Sequence, residues 1–376
     1  MRVRSGLVIS ATSVCLALAL AETFLGKVLP VPDPCAAFKT GPGVNRYIKS
    51  EFPASYSTRT EAEPGLPGVT GVHTFSTNNM GFRGDPLVTP KPAGETRVFL
   101  VGGSSTECLY LDDSESLDRV LQNELGRIAP GKTVKVYNAG KSGDASDDHV
   151  SMIVHRIVHL SPDLLVVFCG INDLTRAIYG YDYLHRVVPD ARPLTFLDDV
   201  AMAATELQIP RRIYRVAHAH DEKSLLEGFT AKSNYREKVR VRDAHAPSDK
   251  APREDLDPYR ENLLTIAGVA QAHGVKLVFM TQQTTWGGPD PEAAGWQWML
   301  LRDVRYRPDR MDAAMSRYND VMREVAATRG IPVYDLAREI PKTLDDFYDD
   351  VHFNVAGART AGRGLASFLL EKGLAD

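Results

Sequence analysis

Residues 97–106 have the sequence RVFLVGGSST. The first five form a mostly apolar run, which predicts a strand buried on both faces of a sheet. The Gly-Gly pair that follows permits a tight turn and a close approach of a substrate to the backbone. Such a turn presents the hydroxyl of Ser104 at the carboxyl edge of the sheet, where ligands bind in open α/β folds. Taken alone, a serine here is more often a cap of the next helical turn, and Ser105 and Thr106 are better candidates for capping.

Beyond this stretch, apolar runs alternate with segments of helical spacing. The predicted strands are 97–101, 134–137, 164–169, 276–280 and 331–334, and the predicted helices are 114–125, 150–160, 258–273, 311–329 and 355–371. Strands that alternate with helices are typical of a parallel sheet covered by helices on both faces. The sequence therefore predicts the α/β class.

The 376 residues divide into three regions. Residues 1–26 form a leader, residues 27–90 are a lead-in rich in Pro, Gly, Ser and Thr that we expect to be irregular, and residues 91–376 form the α/β domain. Residues 174–257 interrupt the alternation as a long insertion. Insertions beside a site are often lids or specificity elements, and a solvated decoration without a direct role is the alternative.

The leader places Arg2 and Arg4 before an uncharged, mostly apolar run over residues 6–21. The run ends in Ala-Leu-Ala, which is typical of a signal peptide with a small-residue cleavage site. Read on to Gly26, it has about 20 residues and suits an uncleaved membrane anchor. Because the positive charges precede the apolar run, both interpretations predict export to the cell envelope, with the chain membrane-anchored or secreted. A buried N-terminal helix is the alternative.

Composition limits the partners. The net charge of −4 gives no reason to expect nucleic acid. The four cysteines form no CxxC pair and no Cys/His metal spacing, so buried or free thiols are the simpler interpretation. His155 and His159 are four residues apart on a predicted helix, but the sequence offers no third ligand. We therefore predict no metal site and no cofactor.

Three more blocks follow residues 97–106 in chain order: 138–143 (NAGKSG), 170–173 (GIND) and 349–352 (DDVH). His352 in the last block is a candidate general base, since a serine hydroxyl needs a base within hydrogen-bond reach. Asp349, three residues earlier, shares one face of a helical turn with His352 and would orient the ring. Asp350 is the rival for that role. A surface histidine in an acidic turn is the alternative.

Donors for an oxyanion come from the two middle blocks. The backbone N–H groups of Gly143 and Ser104 and the side-chain amide of Asn172 are the candidates, and one such donor contributes roughly 10²–10³ in rate. Both middle blocks are also ordinary turn chemistry, which is the structural alternative. Lys141 and Asp144 border the second block, either as pocket lining or as exposed loop charges.

Together the four blocks resemble those of the SGNH hydrolase superfamily, also called GDSL esterases/lipases, over roughly residues 97–370. The resemblance implies these roles: nucleophile Ser104, oxyanion donors Gly143 and Asn172, and the acid–base pair Asp349 and His352. It also implies a flavodoxin-like three-layer α/β/α sandwich with a five-stranded parallel sheet. An α/β-hydrolase is disfavoured because the Gly-x-Ser-x-Gly elbow is missing from the sequence.

Two further features bear on the resemblance. The family often has Asp where this chain has Gly103, and the Gly-Gly-Ser version resembles some bacterial branches that are exported or membrane-anchored. Residues 79–84 (NMGFRG) look like a lead-in seen in those branches.

The expected function is a serine esterase that needs no cofactor. Its expected partner is an ester-bearing small molecule, carbohydrate or lipid, with membrane contact through the N-terminal segment if that is uncleaved. Trp286, Trp296 and Trp298 could form a stacking platform for O-acetylated envelope carbohydrate, or simply pack a long loop. An O-acyltransferase with the same residues and a non-catalytic envelope binding module are the alternatives.

Overall fold

The computed structural model describes residues 2–29, 48, 51–180, 207–217, 235–297 and 300–374. Two compact units divide the chain, one of residues 1–46 and 187–231 and the other of residues 47–186 and 232–376. The second unit holds the two hydrophobic core clusters and the predicted site residues.

The α-helices are α1 (Arg2–Val28), α2 (Ser104–Glu107), α3 (Leu117–Ile128), α4 (Ser146–His155), α5 (Ile171–Tyr179), α6 (Gln208–Ala217), α7 (Tyr235–Asp243), α8 (Leu256–Ala272), α9 (Pro308–Arg329), α10 (Leu336–Glu339) and α11 (Val355–Glu371). The strands are β1 (Ser57–Glu61), β2 (Val72–Ser76), β3 (Glu95–Gly102), β4 (Thr133–Asn138), β5 (Leu164–Phe168), β6 (Pro247–Ser248), β7 (Lys276–Met280), β8 (Leu300–Leu301), β9 (Val304–Tyr306) and β10 (Val333–Tyr334).

In the first unit, α1 meets the start of α6. The carboxylate of Glu22 accepts hydrogen bonds from the backbone N–H groups of Gln208 and Ile209, the latter at 2.9 Å. A negative charge at a helix N-terminus is favourable because the first N–H groups have no partner within the helix. Among the described residues, no helix is both long and apolar enough to cross a membrane. The signal peptide and the membrane anchor stay predictions.

The second unit is built on a five-stranded parallel sheet with the order β10-β7-β5-β3-β4. The prediction of a flavodoxin-like α/β fold is confirmed. The chain begins in the sheet at β3, continues to β4 on one side, and then crosses to β5 on the other. The strand order reverses at β3, and the carboxyl edge at such a point is where ligands bind in open sheets.

Helices cover both faces of the sheet, which gives three layers. Val98 and Leu100 of β3 pack in one core cluster with the buried residues of α3 and α11. Phe99 and Val101, on the opposite face, pack in the other cluster with α4, α5, α8 and α9. Alternation of this kind follows from the two-residue period of a strand, and it explains why both sets are apolar.

The central strand is longer than predicted, because it begins at Glu95 rather than at residue 97. Both charged residues at its start are buried, and Arg97 Nε donates to Glu95 Oε1 at 2.5 Å. A buried charge is tolerated when it is paired. Because the first residues of β3 are charged, they do not belong to the apolar run that predicts the strand.

Two other predictions differ from the structure. The lead-in 27–90 is not irregular throughout, because β1 and β2 pair antiparallel and Phe75 of β2 is buried. The predicted helix 150–160 is broken at Arg156 into α4 and a 3₁₀ turn (Ile157–Leu160). His155 and His159 therefore do not share one α-helix.

Candidate active site

Ser104 is the first residue of α2, directly after β3, as the sequence predicts. Both preceding glycines stand where a side chain has no room. A Cβ at Gly102 would lie 2.5 Å from the carbonyl oxygen of Phe168 on β5, and one at Gly103 would lie 2.6 Å from Nδ2 of Asn172. The Gly-Gly pair thus lets the serine turn pack against β5 and against Asn172. The lack of room beside Asn172 explains why residue 103 is a glycine.

The structure brings Ser104, His352 and Asp349 into one hydrogen-bonded row. His352 Nε2 lies 2.8 Å from Ser104 Oγ, and His352 Nδ1 lies 2.7 Å from Asp349 Oδ2 and 2.9 Å from Oδ1. Asp349 is only 1% exposed. Burial alone would raise the pKa of this carboxyl, but the charge of His352 and the bonds it receives outweigh burial and lower the pKa.

The local conformation of this pair differs from the predicted helical turn. Residues 349–352 form a bend in which Asp349 Oδ1 accepts the backbone N–H groups of Val351 at 3.0 Å and His352 at 2.9 Å. This is an Asx-type turn, in which a carboxylate replaces a backbone acceptor. The predicted pairing of Asp349 with His352 is present, but a different turn produces it.

Asp350, the rival acid, faces away from the row and is fully buried. Its Oδ2 accepts the indole N–H of Trp286 at 2.7 Å, and Trp286 is 1% exposed. Trp286 therefore cannot stack on a sugar, and that part of the predicted carbohydrate platform is wrong. Trp296 is half-buried, and Trp298 lies outside the described residues.

The loop after β7 holds the Asp349–His352 turn in place. Gln283 Nε2 donates to the carbonyl of Val351 at 2.7 Å, and the backbone N–H of Thr285 donates to the carbonyl of Asp350 at 2.8 Å. The hydroxyl of Ser105 reaches the same Val351 carbonyl at 3.2 Å. Gln283 and Thr285 were not among the predicted site residues, although a polar run (TQQTTW, 281–286) directly after a buried strand was the available signal.

The predicted oxyanion donors lie on the loop after β4, which holds Gly143, and on the first turn of α5, which holds Asn172, and hydrogen bonds join the two segments. Asn172 Nδ2 donates to the carbonyl of Asp144 at 2.7 Å, and Arg176 Nη2 donates to the carbonyl of Gly143 at 2.9 Å. Gly143 has a φ of +83°, a left-handed conformation that favours glycine. Because an amide carries two N–H donors, the second N–H of Asn172 can serve an oxyanion.

Lys141 and Asp144 are buried, so the interpretation as exposed loop charges is wrong for both. The ammonium of Lys141 lies 3.4 Å from the ring centroid of Phe52, a cation–π contact. Burial lowers the pKa of Lys141, against the opposing charges of Glu107 and Asp144.

Asp173, next to Asn172, links the start of α5 to the start of α4. Its Oδ1 accepts the backbone N–H of Ser146 at 3.1 Å and the Ser146 hydroxyl at 2.5 Å. Asn262 Nδ2 in turn donates to the Ser146 hydroxyl at 2.8 Å. Burial raises the pKa of Asp173 to about 7, against the lowering effect of the Ser146 bonds. The sequence did not single out Asp173, because its partners lie far away in the chain.

The pKa of Asp173 predicts a stability change with pH. A carboxyl whose pKa is raised on folding contributes stability that is complete below its unfolded pKa and is lost as the pH rises through about 7. Asp173→Asn resembles the protonated form at every pH, so we expect the margin by which its free energy of unfolding exceeds that of the parent to be on the order of 2 kcal/mol larger at about pH 8 than at about pH 5. Urea denaturation at both pH values measures the difference.

Asp85→Asn is the control of opposite sign. Burial alone would raise the pKa of Asp85, but hydrogen bonds from Lys135, Gln122 and Arg119 lower it well below its usual range. This variant should be less stable than the parent at pH 8. If the free energy of unfolding depended on pH equally in the parent and in Asp173→Asn, the raised pKa of Asp173 would be contradicted.

Arg83 of the 79–84 motif supports the short helix α2, which begins with Ser104. Its guanidinium donates to the carbonyls of Glu107 at 2.7 Å, Cys108 at 2.8 Å and Leu111 at 3.0 Å. The last carbonyls of a helix have no partner within the helix, so Arg83 satisfies the end of α2. The sequence showed the motif, but not this role.

Within the part of the chain that the structure describes, no group of three or more His, Cys, Asp or Glu side chains could hold a metal ion. Cys108 and Cys169 are buried free thiols, and burial raises the pKa of Cys108 to about 11. Neither thiol has the exposure or the low pKa of a reactive cysteine.

The fold and the Ser–His–Asp row define a class of protein, the SGNH-type ester hydrolases. Within that class the chain belongs to the GDSL-like lipase/acylhydrolase family, whose sequence profile matches residues 100–360. A comparison with curated proteins gives no match.

Several solved structures are similar to this one. An acetylxylan esterase from Geobacillus stearothermophilus, Axe2, has a TM-score of 0.42 and 15% identity, with 73% of this chain and 94% of that chain covered. TesA has a TM-score of 0.43 and 15% identity, with 74% and 99% covered. A lipase/acylhydrolase from Enterococcus faecalis has a TM-score of 0.42 and 18% identity, with 74% and 96% covered.

Proposed function

We propose that the protein hydrolyses carboxylic esters through an acyl-enzyme on Ser104. The observation that carries the proposal is the contact of 2.8 Å between Ser104 Oγ and His352 Nε2, with Nδ1 of the same ring on Asp349. A serine hydroxyl is a weak nucleophile unless a base takes its proton, and this geometry supplies the base.

The first half of the reaction acylates Ser104. As Oγ attacks the carbonyl carbon, His352 Nε2 takes the hydroxyl proton, and the buried Asp349 carboxylate stabilises the imidazolium that forms. The carbonyl oxygen becomes an oxyanion, and the N–H groups of Ser104 and Gly143 and the side-chain amide of Asn172 stabilise it. His352 then returns the proton to the leaving alkoxide as the ester C–O bond breaks.

The second half releases the acyl group. Water attacks the acyl carbon while Nε2 takes one of its protons, and a second oxyanion forms at the same place. Collapse of this intermediate breaks the bond to Oγ, which recovers its proton from His352. The products are a carboxylic acid and the free enzyme.

We propose O-acetylated carbohydrate of the cell envelope as the substrate class, with lipid esters as the alternative. Its support is the predicted export of the chain behind residues 1–26. Because Trp286 is buried, this residue no longer adds aromatic stacking on a sugar to that support.

The proposal is tested by hydrolysis of p-nitrophenyl acetate, butyrate and a longer ester by the full-length protein, beside Ser104→Ala. Turnover that disappears in the variant supports the acyl-enzyme, and a preference for acetate favours acetyl esters over lipids. Release of p-nitrophenol only when an acceptor sugar is added would identify an acyltransferase. Turnover that survives in Ser104→Ala would overturn the proposal.

The oxyanion role of Asn172 has its own expected result. Asn172→Ala should lower kcat by about 10²–10³ with little change in KM, because the lost donor acts on charge that develops only in the transition state. Steady-state kinetics on p-nitrophenyl acetate measure both constants. Thr175→Ala is the matched control one turn along α5, since that hydroxyl bonds the Ile171 carbonyl of its own helix. Equal losses in the two variants, or a loss confined to KM, would exclude Asn172 as a donor.

A further inference from the structure

The predicted oxyanion donor Gly143 lies in a tight turn over residues 141–144. The backbone N–H of Asp144 donates to the carbonyl of Lys141 at 3.1 Å, which closes the turn. Gly143 is its third residue and has a φ of +83°, whereas Ser142 before it does not have a positive φ. This combination defines a type II turn. Because glycine adopts positive and negative φ with similar ease, the turn alone does not fix the direction of the Gly143 N–H.

Helix α5 supplies the outside contacts that hold this turn. Asn172 and Arg176 are four residues apart, so they share one face of the helix. Asn172 Nδ2 donates to the carbonyl of Asp144 at 2.7 Å, and Arg176 Nη2 donates to the carbonyl of Gly143 at 2.9 Å. Two successive carbonyls of the turn are therefore bonded to the helix that carries the other predicted side-chain donor.

The guanidinium of Arg176 is itself held in place by two carboxylates. Its Nη1 donates to Asp147 Oδ1 at 2.5 Å, and its Nη2 forms an ion pair with Asp148 Oδ2. Both aspartates lie in the first turn of α4. A guanidinium is a rigid planar fork, so the two carboxylates fix its plane, and Nη2 keeps a second hydrogen for the Gly143 carbonyl.

We propose that Arg176 is a positioning residue of the oxyanion hole. It holds the backbone N–H of Gly143 at the distance from the Asn172 amide at which both can donate to one oxyanion. Its own hydrogen bonds go to the Gly143 carbonyl and to the two aspartates, so it acts through Gly143. This inference rests on the proposed function, in which an oxyanion forms on the carbonyl attacked by Ser104.

The test is Arg176→Ala in the full-length protein, with p-nitrophenyl acetate as the substrate. We expect kcat to fall by about 10- to 100-fold, because a misplaced donor acts on charge that develops only in the transition state. KM should be unchanged, because the ground-state ester does not carry that charge. A role confined to the stability of the fold would not separate kcat from KM in this way.

A trifluoromethyl ketone gives a second readout, without turnover. Ser104 Oγ adds to its carbonyl carbon, the hydroxyl proton passes to His352, and the carbonyl oxygen becomes an oxyanion in the place of the one formed during hydrolysis. The inhibition constant of this analogue should rise in Arg176→Ala by the factor by which kcat/KM falls. An unchanged inhibition constant, or a loss confined to KM, would overturn the inference.

Arg323→Ala is the matched control. The Arg323 side chain is 21% exposed, against 20% for Arg176, and it also pairs with two aspartates, Asp320 and Asp335, each at 2.7 Å. Its partners belong to α9 and to the residue before α10. We expect the kcat and the inhibition constant of the parent in this variant. Losses in Arg323→Ala equal to those in Arg176→Ala would show a general effect of removing a paired arginine, and would overturn the inference.

Arg176→Lys keeps the test decisive if the alanine variant does not fold. The ammonium keeps a positive charge beside Asp147 and Asp148, but its single nitrogen cannot stand at both Nη positions. We expect a loss of roughly 10-fold in kcat at unchanged KM. A lysine variant with the kcat and the inhibition constant of the parent would overturn the role of the fork.

A fluorophosphonate probe separates this inference from the proposed function. Oγ of an activated serine bonds the phosphorus of the probe and fluoride leaves, so no natural substrate is needed. If the parent is not labelled at Ser104, the proposed function and this inference fall together. If the parent is labelled and the Arg176 variants keep its kcat and its inhibition constant, the inference alone falls.

Discussion

Ser104→Ala should lower kcat for p-nitrophenyl esters by roughly 10⁴–10⁶-fold, the range for removing the nucleophile of a catalytic row of this kind. Alanine removes the atom that forms the acyl bond and leaves the oxyanion donors in place, so the remaining rate should still exceed that of water. Pre-steady-state kinetics provide the measurement, because an acyl-enzyme gives a burst of p-nitrophenol in the parent that the variant lacks.

The double variant Ser104→Ala/His352→Ala should be no slower than Ser104→Ala alone. Both side chains act through one proton transfer across the contact of 2.8 Å, so the second removal takes away nothing that still works. If the fold-losses in kcat of the two single variants multiplied in the double variant, His352 would act in a step other than proton transfer from Ser104.

Ser105→Ala distinguishes the two adjacent serines. The Ser105 hydroxyl bonds the carbonyl of Val351 and does not point at His352, so its loss removes one support of the Asp349–His352 turn. One neutral hydrogen bond contributes about 1 kcal/mol, which corresponds to roughly a 10-fold effect at most. A loss as large as that of Ser104→Ala would identify the wrong serine.

The sequence predicted the sheet well because its strands are buried on both faces. Such strands are continuous apolar runs, and β7 (Lys276–Met280) has the predicted bounds. The order of the strands was expected only from the family resemblance, which implied a flavodoxin-like sheet, because the right-handed βα crossover fixes the hand of each return and not the neighbours of a strand. The prediction missed the polar elements, which are the hairpin of β1 and β2 and the start of β3. These segments contain charged and hydroxyl residues, so they do not form the apolar runs by which a buried strand is recognised.

In the candidate active site, too, some residues could be predicted from the sequence and others could not. Ser104 and Asn172 could be predicted because local motifs at strand ends mark them, and Asp349 and His352 because their three-residue spacing marks them as a pair. Arg83 and Gln283 could not, because each acts on the site by a bond to the backbone carbonyl of a residue far away in sequence, and a carbonyl carries no residue identity. The polar run 281–286 and the motif 79–84 are visible in the sequence, but neither indicates which distant carbonyl its side chain bonds.

Asp349→Asn is expected to lower kcat by about 10⁴-fold through the wrong tautomer of His352. The turn decides how the new amide sits. Its oxygen must take the place of Oδ1, since the N–H groups of Val351 and His352 require an acceptor there. The NH₂ then replaces Oδ2 and faces Nδ1 at the position now 2.7 Å away. Nδ1 becomes an acceptor, so the ring proton moves to Nε2, where it blocks removal of the Ser104 proton.

Asp350→Asn is the matched control from the neighbouring residue. Its amide oxygen can still accept the Trp286 indole N–H, so the loop after β7 keeps its contact and His352 keeps its tautomer. Activity close to the parent in Asp350→Asn, beside a strongly impaired Asp349→Asn that unfolds at the same urea concentration, would assign the orienting acid to Asp349. The reverse order of losses would assign it to Asp350. Both aspartates are buried and lie in the same bend, so the difference in activity between these variants reports which carboxylate faces the imidazole.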